Sequence, residues 1–97
     1  MKIFKAEDLI HPIQDLDLGI LQAGEEKDFE FIVVNDSEAI LNKLEFSVDN
    51  KEIKIISFPK SLKANERANF FVKWSPSITV KQGLKASVKI TGYEIWS

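Results

Sequence analysis

Carboxylates are the residues whose type and spacing come closest to chemistry. Asp15 and Asp17 stand two apart, so an extended chain puts both on one face, and Glu25, Glu26 and Asp28 follow soon after. Two carboxylates held together push one pKa upward, the starting condition for a general acid beside a general base. Both groups lie beside turn residues in an acid-rich stretch, and a solvated strand edge accounts for them without any reaction. His11 is the single histidine and cysteine is missing, which removes disulfides, thiolate ligands and cysteine nucleophiles. A zinc site would have to be assembled from carboxylates around one imidazole, against the usual preference for His and Cys. No serine sits in a Gly-x-Ser-x-Gly elbow, so a Ser–His–Asp triad has no local signature. The expectation is a protein that is not an enzyme and carries neither a cofactor nor a metal.

Three other groups of residues can make contacts. Phe71 falls on the strand face opposite Phe70 and Val72, and Tyr93 and Trp96 stand near the end of the chain. Exposed aromatics serve as carbohydrate platforms or protein hot spots, because they cover a large area at low entropy cost. The alternative is that Tyr93 and Trp96 fold over the end of the domain. Lys73, Lys85 and Lys89 take outward positions on two late strands, read as neighbours that form a basic row for phosphate or an acidic partner. Ile3, Phe4, Leu9 and Ile10 form apolar pairs in a first segment without a period of two. That segment, residues 1–13, reads as an N-terminal arm or edge segment, packed on its own domain or docked on a neighbouring subunit.

The elements that must position these residues are strands. Alternation dominates from residue 14 onward: Phe29, Phe31 and Val33 share one face, as do Leu44, Phe46 and Val48, then Phe70, Val72 and Trp74, then Leu84, Ala86, Val88 and Ile90. Strands are expected at 14–19, 27–35, 43–49, 53–58, 67–74 and 84–91, with a seventh piece near Leu21–Gln22 or Ile78–Val80. Turn chemistry separates them, for instance at Asp49–Glu52 and at Ala64–Glu66. A short helical turn capped by Ser37 is expected over Ser37–Leu41. The fold class is all-β, an immunoglobulin-like antiparallel β-sandwich of about seven strands over residues 14–97.

Composition sets the outer bounds. Ninety-seven residues make one domain, and 44% hydrophobic with 29% charged residues is a globular balance. The net charge of −2 conceals a split: residues 1–50 hold 12 acidic and four basic side chains, residues 51–97 three acidic and nine basic. Nucleic-acid binders are usually net basic, so the composition argues against a nucleic-acid partner. No apolar run is long enough to span a bilayer. Acidic residues near Met1 occupy the place of a signal peptide's apolar core, so the expected location is intracellular, or a virion if the chain is phage-encoded.

Leu16-Asp17-Leu18-Gly19 through Gly24, then Phe29–Val34 ending in Asn35-Asp36-Ser37, resembles the opening of the ASH and major sperm protein-like (PapD-like) group of immunoglobulin-like domains. Phe70–Trp74 ending before Pro76, then Gly83 leading Leu84–Ile90, is similar to that group's closing pattern. Leu18 departs from the aromatic that the group often places before the glycine. The resemblance implies a non-catalytic module for scaffolding or assembly, whose partners are other protein subunits, a second copy among them. By analogy of fold and size, it implies an accessory component of a larger particle such as a bacteriophage virion, decorating a capsid or joining tail or neck parts. The alternative is a module that binds carbohydrate or an extended peptide.

Overall fold

The structure is a computed structural model that describes residues 1–79 and 82–96. Eight strands form: β1 Lys2–Lys5, β2 Asp8–Ile13, β3 Asp15–Gly19, β4 Lys27–Val34, β5 Ile40–Val48, β6 Ile53–Ser57, β7 Arg67–Trp74 and β8 Leu84–Ile95. They make two antiparallel sheets, one ordered β2-β1-β4-β7-β6 and the other β3-β8-β5. The protein is an all-β sandwich. Among the described residues no helix is long and apolar enough to cross a membrane.

The period of two decides which side chains enter the core. Phe70, Val72 and Trp74 of β7 are buried, as are Phe31 and Val33 of β4, Leu44 and Phe46 of β5, and Leu16 and Leu18 of β3. Phe70 joins the sheets: its ring lies 5.5 Å from Phe31 in its own sheet and 5.2 Å, edge on, from Phe46 in the other. Fully burying each such ring contributes about 1.5–3 kcal/mol. Trp74 is fully buried, and its indole Nε1 has no hydrogen-bond partner among the described residues. Packing volume therefore holds it there despite a polar cost.

Residues 1–13 supply two strands. β1 pairs with β4 across Lys2–Lys5, and β2 folds back on β1 as the outermost strand. The chain then crosses at Gln14 from the first sheet to the second, where β3 pairs with β8.

Three local expectations need correction. Ser37–Leu41 is not helical; it bends at Ser37–Ala39 and enters β5 at Ile40. The cause is Asn35, only 1% exposed. Its Nδ2 faces the carbonyls of Ala39 (2.8 Å), Lys63 (3.0 Å) and Leu62 (3.3 Å), while its Oδ1 accepts from the Ser37 N–H (3.1 Å) and hydroxyl (2.7 Å). A side chain that satisfies local backbone in this way competes directly with helix. Leu21, Gln22, Ile78 and Thr79 lie in irregular chain, and Val80 lies outside the described residues. Finally, β5 starts earlier and β8 ends later than alternation suggested, because Ile40–Asn42 pairs with Tyr93–Ile95.

That added pairing passes over an irregularity. Lys43 and Leu44 together oppose Gly92, and Lys43 takes the left-handed conformation with φ 52°. This is the geometry of a β-bulge, which bends and twists the ribbon beyond it.

Candidate functional site

The acidic residues at strand edges are occupied as hydrogen-bond acceptors. Asp15 Oδ1 accepts from the Ser87 hydroxyl at 3.0 Å, and Asp17 Oδ1 accepts from the Gly19 N–H at 3.2 Å, so each carboxylate holds a different piece of chain. Glu25 Oε1 accepts from the Gln22 N–H at 2.8 Å. His11 has its Nδ1 3.0 Å from Asp8 Oδ2, on the exposed strand β2. Hydrogen bonds from the Ile10 N–H and from His11 hold the Asp8 carboxyl below its ordinary range. The Met1 ammonium, 3.0 Å from Asp36, does the same there, and the Ser77 hydroxyl and N–H do so for Glu52. All three are depressed, the direction of stabilised carboxylates, opposite to the raised value a general acid needs.

The basic row does not form. Lys73 lies on β7 in the five-stranded sheet, whereas Lys85 and Lys89 lie on β8 in the three-stranded one. The last two long strands are not the neighbours that the basic row requires, because the topology puts β6 and β4 beside β7 instead. Lys73 Nζ approaches Asp28 at 3.9 Å, joining a residue of the acidic stretch to one of the lysines within a single molecule.

The apolar candidates divide. Phe4 is buried and Ile3 packs against the core, while Leu9 and Ile10 on β2 are exposed, Ile10 to 81%. Phe71 is half-buried on the outer face of its sheet, opposite Glu30 on one side and Ser57 on the other. Tyr93 and Trp96 are the most open aromatics, 67% and 66% exposed, and do not fold over the sandwich. Trp96 Nε1 donates to Glu94 at 3.2 Å, and Lys43 Nζ stands 5.8 Å from the Tyr93 ring centre.

The structure adds residues that pattern reading missed. Ile40 and Ile95 face each other across the β5–β8 ribbon and are both exposed on the face that carries Tyr93, while Trp96 stands exposed just beyond β8 with its indole on Glu94. The sequence signal was present in Gly92, which interrupts the alternation without ending the strand. A second feature is an open cleft of about 550 Å³ lined by Met1, Lys2, Ile3, Pro12, Ile13, Gln14, Val88 and Ile90. It lies beside β8 where β3 stops, because β3 reaches only from Leu84 to Ser87. Compared with known proteins, the chain matches no family model, no curated protein and no solved structure.

Proposed function

We propose that this protein is a non-catalytic assembly module that works by being bound by other protein subunits. The observation that carries this reading is the exposed apolar face at the end of the β5–β8 ribbon, formed by Ile40, Tyr93 and Ile95, with Trp96 exposed just beyond the strand. Contiguous exposed apolar surface marks interaction sites, and Tyr and Trp are the side chains most often found at their energetic centres. The carboxylates' use as backbone and hydroxyl acceptors favours a structural role for them over acid–base work.

In its fuller form the reading is an accessory component of a larger particle, such as capsid decoration or a tail or neck protein of a bacteriophage. Its support is the resemblance of Leu16–Ser37 and Phe70–Ile90 to the ASH and major sperm protein-like group, joined to the small size of the domain. Fold-level analogy is the warrant for that step. Co-sedimentation with particles assembled in the source organism tests it. The expected result is association that a Tyr93→Ala/Trp96→Ala variant loses while unfolding at the wild-type temperature. Wild-type protein that never enters a particle would overturn the reading.

A further inference from the structure

β8 is a central strand for its first four residues and an edge strand for the rest. On the β3 side it is paired only from Leu84 to Ser87, so among the described residues no strand lies beside Val88–Ile95 there. Sheet edges present rows of unpaired N–H and C=O groups, and proteins ordinarily blunt them. The other edges of this sandwich are blunted. β2 carries Pro12 and β6 is irregular at Ile56; β3 is five residues long with a shift before Gly19. β5 is covered by the Lys60–Leu62 segment, through Leu41 N–H to Leu62 O (2.8 Å), Leu62 N–H to Leu41 O (2.9 Å) and Leu44 N–H to Lys60 O (2.9 Å). Among the described residues Val88–Ile95 has no proline and no covering segment; Lys89 and the twist at the β5 bulge opposite Gly92 are its only blunting devices, and it carries the exposed Tyr93 and Ile95 and leads into Trp96.

From these observations we infer that the open edge of β8 pairs, antiparallel and about a two-fold axis at Thr91, with the same edge of a second copy of the chain. This inference gives the assembly reading a partner and a register, and rests on it. A two-fold axis normal to a sheet requires one residue to face its own copy, and Thr91 lies at the centre of 88–94. Seven pairs then fill the edge from the point where β3 stops. On the outward face Lys89 comes opposite Tyr93 of the second copy, twice by symmetry, a cation facing an aromatic ring, and Thr91 meets Thr91; both are favourable cross-strand pairs. On the inward face Ile90 meets Gly92, and Glu94 comes opposite Val88, beside the cleft that Lys2 lines. An acid thus approaches a cleft with a lysine on its wall, which is charge complementarity of the kind that sets register.

The pairing type at Thr91 follows from the existing ladder. The Ser87 carbonyl accepts from the Asp49 N–H, so Ser87 points its backbone toward β5, and Lys89 and Thr91 alternate in step with it. Val88 and Ile90 therefore direct their N–H and C=O groups to the open side. Thr91 facing Thr91 is then a non-hydrogen-bonded pair, with Cα atoms about 4.5 Å apart. That separation lies within reach of a disulfide.

The chain has no cysteine, so a single introduced one reports register without interference. Under mild oxidation Thr91→Cys is expected to give a covalent dimer, while Lys54→Cys, on the β6 edge, stays monomeric. Sedimentation should find a concentration-dependent dimer for the wild type. Thr91→Lys, which sets two lysines face to face, should raise its dissociation constant about tenfold with the unfolding temperature unchanged. A wild type that stays monomeric at every concentration overturns the pairing, and so does a Thr91→Cys chain that links no faster than Lys54→Cys. A monomer that still joins a particle leaves the assembly reading standing, and a dimer that joins none removes that reading alone.

Discussion

Gly92 sits directly against Leu44: a Cβ on Gly92 would stand 2.7 Å from Leu44 Cδ2 and 3.1 Å from the Asn42 carbonyl oxygen. Leu44 is 3% exposed and fixed in the core, so neither neighbour can yield freely. Gly92→Ala is expected to destabilise the fold by about 1–3 kcal/mol, the usual cost of overpacking. Leu44→Ala, which removes Cδ2, should make the two changes less than additive in a double-mutant cycle read by urea unfolding.

Asn35 ties the Ser37–Ala39 bend to the Leu62–Lys63 segment. Asn35→Ala removes a donor from three carbonyls, of which Leu62 keeps the Leu41 N–H and Ala39 the Ser37 hydroxyl, and removes the acceptor of the Ser37 N–H; it is expected to cost roughly 2–4 kcal/mol. Asn35→Asp keeps the acceptor but turns an oxygen toward three oxygens, so at neutral pH it should be the more harmful. Thermal unfolding of the two variants orders them.

Trp74 separates volume from polarity. Trp74→Ala opens a cavity at the end of β7, between β4 and β6, and should cost about 3–5 kcal/mol. Trp74→Phe loses less volume and also removes the indole N–H that has no partner among the described residues. It should therefore cost under half as much, as measured by denaturant midpoint at constant slope.

Acid should weaken the fold through Asp8, Asp36 and Glu52. Each carboxyl is held below its ordinary value, 3.8 for the two aspartates and 4.5 for the glutamate. Groups depressed in the folded state contribute stability that is complete above the unfolded pKa and is lost as pH falls through the folded one. Stability should thus be level near neutrality and decline below about pH 4.5. Glu52→Gln and Asp8→Asn should each flatten that decline, a change that unfolding midpoints measured from pH 6 to pH 2 will read.

Much of the fold was legible because alternation is a local property. Phe29, Phe31 and Val33 announce a buried face whatever lies beside them, and Arg67–Trp74 was bounded by its pattern at both ends. Partner choice is not local. Lys73, Lys85 and Lys89 look like one row until the topology assigns β7 and β8 to different sheets. Of the candidate interface, Tyr93 and Trp96 were visible as late aromatics. Ile40 and Ile95 were not, because their meeting depends on the bulge at Lys43 and Leu44 that carries β5 and β8 past Gly92.

The contact between Asp15 and Ser87 joins residues 72 positions apart, and it closes β3 onto the second sheet. Chains dominated by such distant pairings fold in milliseconds to seconds, since the loop entropy must be spent before the contact repays it. Until that closure, the whole length of β8 lacks a neighbour on its β3 side. The refolding chain therefore passes through an interval in which its longest strand is open to any other strand nearby. Refolding yield should fall with protein concentration more steeply than the stability of the finished sandwich would indicate.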